Sequence, residues 1–343
     1  MKSDGVFIVC CHNFFCVFPT TTNEAGASGH LFLCRLFAHS LSTLALTLNP
    51  PFFALSYRLP ALRASNSYIY VRWRAMVSET CPYPWRTFIF LVVAGTLTGP
   101  LVIPYLLGLL AIAPGPQPPV LLRSLILSGF IENLKYLLPG AGIGLWVARK
   151  IGLGAPYLEG WLDGAPRPAQ PLSSIVWPAL FWATVTAIIA FGIDAFFRYA
   201  LGVTTPAPEI HARIAVPWWR SGLASLWAPW AEEIFDRLFL LSLLAWLGMK
   251  LFRISGEGRW IALWVANVAT ALFFGWYHIS NEELFVNPVS FIVALRTVLI
   301  VLPAGLAFGW IYIRRGLEAA ILSHFFIDVI VHVVRPIVEH GLV

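Results

Sequence analysis

The sequence has few charged residues. Only 12% of its 343 residues are Asp, Glu, Lys or Arg, whereas 58% are hydrophobic, and the mean hydropathy is +0.75. Soluble globular domains carry about 25% charged residues. The chain therefore lacks the polar surface that a water-soluble globule of this size requires, and we expect an integral membrane protein surrounded by the lipid bilayer.

The chain also lacks the cysteine patterns of disulfide-rich and zinc-binding proteins. Four of its five cysteines precede residue 35, and no two are spaced as a Cys-x-x-Cys pair. The five are Cys10, Cys11, Cys16, Cys34 and Cys81. His-Glu-x-x-His and Gly-x-Ser-x-Gly are absent too, so the common zinc-peptidase and serine-hydrolase motifs do not account for this protein.

The first 75 residues differ from the rest, because short apolar pieces alternate with polar and prolyl breaks. Residues 6–18 resemble the apolar core of a signal peptide, but no clear cleavage site follows. We interpret residues 1–75 as a poorly ordered extension, or as a misassigned start with Met76 as the true first residue. The remainder divides into N-terminal transmembrane helices over 76–220 and a catalytic transmembrane core over 221–343.

Long apolar runs predict a polytopic, all-α transmembrane bundle of about seven spans. A spanning helix requires about 20 predominantly apolar residues, whereas strands of a membrane barrel alternate over about 10. The predicted spans are 87–113, 119–147, 175–200, 221–247, 260–280, 288–313 and 317–335.

The net charge of +6 reflects membrane topology, and it does not indicate a nucleic-acid partner, because the basic residues are spread over short loops. One alternating set of loops holds eight Lys and Arg residues and the other holds two. The positive-inside rule places the richer set in the cytoplasm. Arginine also exceeds lysine, which favours a bacterial source and hence a multi-pass protein of the cytoplasmic (inner) membrane.

Ionisable residues inside the predicted spans are costly, at about 2.5–3.5 kcal/mol each at the bilayer centre, so each requires a reason. Glu132 and Lys135 are spaced to pair along one helix face, and so are Asp194 and Arg198. Arg296 has no such neighbour, so we expect it to snorkel or to reach a carboxylate on another helix.

The fourth predicted span contains a denser cluster, with three acids and one base between Glu232 and Arg237. Glu233 and Arg237 are four residues apart and can form an ion pair. Glu232 is left without a helical partner, and Asp236 follows it by four residues. An unpaired buried carboxylate is suited to general base or acid catalysis, although a structural salt-bridge cluster is the simpler alternative.

The fifth and seventh spans carry the histidines. Phe274 precedes His278 by four residues, and His324 precedes Asp328 by four, so that Asp328 can orient the imidazole. Each arrangement alone has a structural explanation. Glu232, His278 and His324 would nevertheless lie at depths that differ by about 10–15 Å. They can converge only if helices tilt or bend, for example at Pro303 or in the proline-rich loop at 204–217.

The ordered set of motifs resembles the CPBP family, which contains CAAX-box protein processing proteases and bacteriocin-processing enzymes, also called Abi proteins. The matching motifs are Glu-Glu-x-x-x-Arg (Glu232, Glu233, Arg237), Phe-x-x-x-His (Phe274, His278) and His-x-x-x-Asn/Asp (His324, Asp328). The resemblance covers about 221–332 and implies an intramembrane glutamic endopeptidase similar to the type II CAAX prenyl proteases.

The resemblance also implies roles for these residues. Glu232 would activate water with the help of His278, and His324 with Asp328 would stabilise the oxyanion. Glu233 and Arg237 would hold the helix, with Phe274 as further support. Asp328 departs from the more usual Asn, and an ionised Asp cannot donate to an oxyanion, so it would have to be protonated or orient His324. The implied partners are the bilayer and a peptide or lipoprotein substrate.

Three alternatives remain open from the sequence. Glu232, His278 and His324 could bind zinc, as in metalloendopeptidases, although the family resemblance implies no cofactor. A non-catalytic immunity or scaffold protein could retain the same fold. A transporter could use the buried acids as a proton relay, although the paired broken helices of transporter repeats are not evident.

Overall fold

The computed structural model describes residues 6–11, 14–19, 82–109, 119–166, 168, 170–203, 216–282 and 288–340. The chain separates into two compact units. One contains most of residues 1–65, and the other runs from Asn66 to Val343 with a short piece around residue 13.

In the N-terminal unit, strands β1 (Val6–Cys11) and β2 (Phe14–Pro19) pair as a two-stranded sheet. The sequence resembled a signal segment here, and the structure has strands instead. Residues 20–81, including Met76, lie outside the described residues. The interpretation of 1–75 as an extension or a misassigned start therefore stays a prediction.

From residue 82 onward the described residues form helices and connecting loops, which confirms the all-α fold class for the transmembrane part. Its helices are α1 (Trp85–Thr98), α2 (Ile103–Leu109), α3 (Pro119–Lys150), α4 (Pro156–Leu162), α5 (Ser173–Ala195), α6 (Trp218–Glu232), α7 (Ser242–Leu251), α8 (Arg259–Tyr277), α9 (Ile279–Glu282), α10 (Phe291–Arg315), α11 (Leu317–Asp328) and α12 (Arg335–His340). Short 3₁₀ segments at Gly99–Val102 and Gly256–Gly258 precede α2 and α8. π-helical segments at Phe196–Ala200, Glu233–Leu241 and Val329–Val334 continue α5, α6 and α11.

Five described helical stretches are long and apolar enough to cross a membrane. They are Trp85–Gly108, Ser173–Ala200, Arg259–Glu282, Phe291–Arg315 and Leu317–Glu339. The other two predicted spans correspond to α3 and to the α6–α7 stretch. These carry the charged groups noted from the sequence, and the number of spans stays a prediction. Large apolar side chains such as Trp177, Ile188 and Val265 are exposed on the outside of the helices, as a lipid-facing surface requires.

Glycines allow α10 to pack closely against α8. A Cβ at Gly305 would lie 3.1 Å from the Ala271 Cβ, and a Cβ at Gly309 would lie 1.8 Å from the Asn267 Oδ1 atom. The Asn267 side chain sits there because its amide donates to the Leu306 carbonyl at 3.1 Å. The Gly-x-x-x-Gly step therefore brings α10 close against α8, the helix that carries Phe274.

We expect Gly309→Ala to destabilise the helical unit by about 1–3 kcal/mol, because the added methyl overlaps the Asn267 amide. Thermal unfolding in detergent measures this effect. Gly248→Ala is a matched control, since a Cβ there would have nothing within 4 Å. Equal melting temperatures for the two variants would contradict the close packing.

The charged residues noted inside the predicted spans outside the motifs form ion pairs. Lys135 pairs with Glu132 at 2.6 Å, as the spacing predicts. Asp194, however, contacts three arginines rather than one: Arg198 at 3.4 Å, Arg335 at 3.3 Å, and Arg296 through a short contact. Arg296 therefore reaches a carboxylate on another helix, which was one of the two outcomes expected for it.

The opposite end of the bundle is tied together by helix capping. Glu318 Oε1 accepts from the backbone N–H of Tyr157 at 2.9 Å and of Leu158 at 2.8 Å, so the first turn of α11 caps α4. Asp163, at the end of α4, accepts from Thr87 N at 2.9 Å and thereby caps α1. These bonds connect α1, α4 and α11, and α11 carries His324.

Glu159 of α4 is fully buried in this region, 3.3 Å from the Arg149 Nε atom. Burial raises the pKa of Glu159 from 4.5 to about 7, against the opposing effects of the Ala155 N–H and Arg149. Because the folded-state pKa is the higher one, the neutral carboxyl stabilises the fold at low pH. That stabilisation is lost as the pH rises from about 4.5 through about 7.

We therefore expect the stability of the wild-type protein to fall by about 2 kcal/mol more than that of Glu159→Gln between pH 5 and pH 8. Glutamine retains the oxygen that accepts from Ala155 but cannot ionise. Melting temperatures across this pH range give the comparison. Parallel curves for the two proteins would show that Glu159 does not titrate in the folded state.

Candidate active site

The helices that carry two of the motifs change geometry at the motif itself. The π-helical segment Glu233–Leu241 begins immediately after Glu232, and the segment Val329–Val334 begins immediately after Asp328. Pro229, inside α6, lacks the N–H of a regular helix four residues before the first of these segments. π-helical segments are frequent at functional sites. They contribute here to bringing together side chains whose depths differed in the sequence-based picture.

Glu232 is buried and 2% exposed. Its Oε2 atom accepts from the Tyr277 hydroxyl at 3.3 Å and lies 3.8 Å from the His324 Nε2 atom. Tyr277 also donates to Asp236 Oδ2 at 2.9 Å. One phenol on α8 thus contacts two carboxylates on the neighbouring helix.

Glu233 and Arg237 form the ion pair that their spacing predicts, at 3.1 Å between Oε1 and Nη1. The same Glu233 oxygen lies 2.7 Å from His324 Nδ1. A carboxylate accepts and a guanidinium donates, so His324 Nδ1 is the donor in this contact. Glu233 therefore also fixes the orientation of the imidazole, in addition to the helix-holding role that the family resemblance implies.

Arg237 is the central cation of the site and is 1% exposed. Besides Glu233, its guanidinium contacts Asp236 Oδ2 at 3.4 Å and donates to the Gly305 carbonyl at 3.1 Å. Two aromatic rings flank it, with centroids 4.7 Å away for Phe274 and 5.2 Å away for Phe308. These contacts compensate the desolvation of a buried charge.

Phe274 also separates the two histidines. Its ring centroid lies 4.6 Å from that of His278 and 6.0 Å from that of His324. Phe308 stacks on His324 at 4.6 Å with an interplanar angle of 17°. Both imidazoles are thereby held against aromatic rings, and the expected convergence of the motifs is present.

His278 lies at the end of α8, where its Nδ1 atom is 2.7 Å from the Phe274 carbonyl. A carbonyl only accepts, so Nδ1 donates, and in a neutral imidazole Nε2 then carries the lone pair. The ring stacks on Tyr277 at 4.8 Å and 28°. His278 therefore presents a proton-accepting nitrogen next to the residue that contacts Glu232.

Asp328 Oδ1 lies 3.6 Å from His324 Nε2, and its side chain is 15% exposed. His324 Nε2 consequently faces two carboxylates, Glu232 and Asp328, from two helices. Asp328 is more accessible than the other acids of the site, which are at most 2% exposed.

The structure therefore brings all seven predicted site residues into one cluster: Glu232, Glu233, Arg237, Phe274, His278, His324 and Asp328. Sequence reasoning missed Tyr277 and Phe308. Tyr277 directly precedes His278 in an aromatic run, but nothing in that run distinguishes a packing residue from a hydrogen-bond donor to acids over 40 positions away. Asp236 was noted only as a like charge near Glu232.

Within the described part of the chain, no group of three or more His, Cys, Asp or Glu side chains is placed to hold a metal ion. Both histidines use Nδ1 for protein contacts, to the Phe274 carbonyl and to Glu233. Nδ1 contacts of this kind also accompany zinc ligation through Nε2, so the zinc alternative of Glu232, His278 and His324 stays a prediction.

Comparison with family models supports the resemblance drawn from the motifs. Residues 214–330 match the family described as type II CAAX prenyl endopeptidase Rce1-like, and all seven site residues lie inside this range. No curated protein and no solved structure matches the chain. This part of the chain is therefore similar to membrane peptidases of the CAAX protease type, and five described helical stretches are long and apolar enough to cross a membrane.

Proposed function

We propose that this protein is an intramembrane glutamic endopeptidase that hydrolyses a peptide bond of a lipidated or membrane-associated substrate. The observation that carries the proposal is the pairing pattern of the adjacent glutamates. Arg237 contacts Glu233 and Asp236, whereas the polar contacts of Glu232 are the Tyr277 hydroxyl and the His324 imidazole. Among the described residues no arginine contacts Glu232, so its carboxyl group can exchange a proton.

In the proposed reaction Glu232 accepts a proton from water, assisted by His278, and the hydroxide attacks the carbonyl carbon of the scissile bond. The carbonyl oxygen becomes an oxyanion. When it collapses, the C–N bond breaks and the proton held by Glu232 passes to the leaving nitrogen. The products are one carboxylate and one amine, and no oxidant or further reactant is consumed.

His324 and Asp328 are proposed to stabilise the oxyanion. Because His324 Nδ1 is engaged with Glu233, the nitrogen available to the substrate is Nε2. It donates there only when the ring is doubly protonated. Asp328, 3.6 Å away, orients that Nε2 atom, and Phe308 and Phe274 hold the ring plane. Fixed donors of this kind act without reorganisation during the reaction.

The proposed substrate is a peptide or lipoprotein that enters from the bilayer, and the proposed location is the bacterial cytoplasmic membrane. Several helices able to span a membrane support the bilayer environment. A tripeptide next to a prenylated cysteine is one candidate substrate by resemblance to the matched family. Precursors of exported peptides are the other, and processing of bacteriocin-like peptides would fit the broader family resemblance.

The test is proteolysis by the purified full-length protein in lipid nanodiscs on a panel of prenylated, acylated and membrane-anchored peptides. We expect Glu232→Gln to lower kcat/KM by about 10²- to 10⁴-fold, the contribution of a general base. Glu132→Gln is the matched control, because Glu132 pairs with Lys135 away from the site. A chelator is expected to have no effect.

Each result has a defined meaning. Glutamate catalysis is supported if the wild-type protein cleaves a peptide, the Glu232→Gln variant does not, and a chelator leaves the wild-type rate unchanged. Cleavage lost on chelation and restored by Zn²⁺ would replace the proposal with a metallopeptidase. Cleavage by Glu232→Gln at the wild-type rate would refute the assignment of the base. A wild-type protein that cleaves no peptide while binding the same peptides would favour the scaffold or immunity alternative.

A further inference from the structure

Three features of the bundle stand apart from the proposed water-activating groups. One is an apolar groove of about 550 Å³ between α5 and α10, lined by residues such as Ile193 and Leu295. Another is the arginine network around Asp194. The third is the pair formed by Tyr277 and Asp236. The first two face lipid or close an end of the bundle, and only the third touches a residue of the site.

Asp236 is an additional carboxylate that the proposed chemistry does not use. It is fully buried, and only its Oδ2 atom has hydrogen-bond partners, namely the Tyr277 hydroxyl at 2.9 Å and Arg237 Nη1 at 3.4 Å. Its Oδ1 atom has no hydrogen-bond partner among the described residues. A buried carboxylate in this state is costly for stability, so its retention calls for an explanation beyond packing.

Tyr277 supplies the link from this carboxylate to the site. Its hydroxyl lies closer to Asp236 than to Glu232, by 2.9 Å against 3.3 Å. The Glu232 atom that it contacts, Oε2, is also the atom that faces His324 Nε2. Tyr277 and His324 therefore approach one oxygen of Glu232 from two different helices, and the orientation of the Glu232 carboxylate depends on both.

The ring of Tyr277 is itself well held. It packs edge-on against Phe274 at 5.4 Å and stacks on His278 at 4.8 Å. With the ring fixed in this way, the remaining freedom is rotation of the O–H bond. The phenol has a single proton, which the two carboxylates share. Asp236 accepts the shorter branch of this hydrogen bond, at 2.9 Å, and so restricts the rotation.

We propose that Tyr277 and Asp236 form a positioning pair for Glu232, in which Asp236 Oδ2 and Glu232 Oε2 share the single proton of the Tyr277 hydroxyl and Asp236 fixes the direction of the O–H bond. The pair leaves the other Glu232 oxygen, Oε1, to meet the water. Neither residue touches substrate, so both act through Glu232. This inference rests on the proposed function for its kinetic consequences, and on the contacts alone for its spectroscopic ones.

The kinetic test is a double-mutant cycle. We expect Tyr277→Phe to lower kcat by about 10- to 100-fold with little change in KM, as the loss of one hydrogen bond to a charged group predicts. Asp236→Leu is expected to lower kcat by a similar factor. Asp236→Asn retains an accepting oxygen, so it is expected to keep most of the wild-type kcat. Because Asp236 acts through the hydroxyl, Asp236→Leu should add no more than about twofold in the Tyr277→Phe background.

The matched control is Tyr312→Phe, which removes a phenol oxygen that is also buried but pairs with Ser242 at 2.8 Å, away from Glu232. It should leave kcat within about twofold of wild type. If the effects of the Tyr277 and Asp236 substitutions on kcat multiply fully in the double variant, the proposed pair is overturned. Loss of activity in Glu232→Gln combined with wild-type kcat in Tyr277→Phe would overturn the pair and leave the proposed function intact.

A second measurement does not depend on turnover. In infrared spectra of protein labelled with ¹³C-carboxyl glutamate, the Glu232 band is the one lost in Glu232→Gln. Tyr277→Phe and Asp236→Leu should both shift this band, and Tyr312→Phe should not. An unshifted Glu232 band in Tyr277→Phe would refute the contact, whatever the protein is found to cleave.

Discussion

Replacing Arg237 with methionine is expected to destabilise the helical unit by about 3–5 kcal/mol, which is the cost of leaving buried charges without their partner. Methionine is similar in length and unbranched, so the loss reflects charge more than volume. Two carboxylates, on Glu233 and Asp236, would remain buried without the guanidinium. The Gly305 carbonyl on α10 would also lose its donor. Thermal unfolding in nanodiscs measures the effect.

The control for this prediction is Lys135→Met, which removes an ion pair whose lysine side chain is 60% exposed. Such a pair contributes about 0–1 kcal/mol, so the melting temperature should change little. The double variant Arg237→Met/Glu233→Gln should recover part of the lost stability, because one of the orphaned charges is removed with the cation. If the melting temperature of Arg237→Met equals that of Lys135→Met, the buried cluster does not hold the bundle together.

The comparison with the sequence shows which parts of this cluster local spacing can predict. The Glu233–Arg237 and Glu132–Lys135 pairs follow from helix periodicity alone and form at 3.1 Å and 2.6 Å. The same rule predicted an Asp194–Arg198 pair, which forms, but it could not indicate that Arg296 and Arg335 converge on Asp194. Those partners lie 102 and 141 positions away, and only helix packing brings them near.

The geometry of the site depended on features that no local signal specifies. Pro229 is a local sign that the helix near Glu232 departs from regular geometry, but a proline does not specify the π-helical segment that follows Glu232. Tyr277 looks like one more aromatic residue of a membrane helix until its two acidic partners are seen. The order of the motifs predicted the family correctly for residues 214–330, whereas the contacts between motifs required the structure.

Substituting His324 is expected to give the largest loss of activity after Glu232, and two amide replacements separate its two contacts. The amide nitrogen of asparagine can occupy the place of Nδ1 and keep the bond to Glu233. The amide nitrogen of glutamine can occupy the place of Nε2 and keep a donor facing Glu232 and Asp328. The proposed oxyanion role belongs to Nε2, because Nδ1 is engaged with Glu233.

We therefore expect His324→Asn to lower kcat by about 10³-fold or more, since both the donor and the titratable group are lost from the substrate side. His324→Gln should retain about 10-fold more activity than His324→Asn, because a neutral donor remains there. Ser323→Ala, which removes the adjacent buried bond to the Ala179 carbonyl, is the control for damage to α11 and should retain activity. Melting temperatures show whether each variant is folded.

The ranking of the two amides decides how His324 works. If glutamine is the better replacement, the Nε2 side carries the catalytic contact, and Asp328 acts by orienting it. If asparagine is the better replacement, the bond to Glu233 matters most and His324 supports the helix more than the oxyanion.

The variant Asp328→Asn separates the two roles that remain for Asp328. Asparagine can donate to an oxyanion but is a weaker acceptor for His324, so a rise in kcat would assign Asp328 to the oxyanion and a fall would assign it to the imidazole.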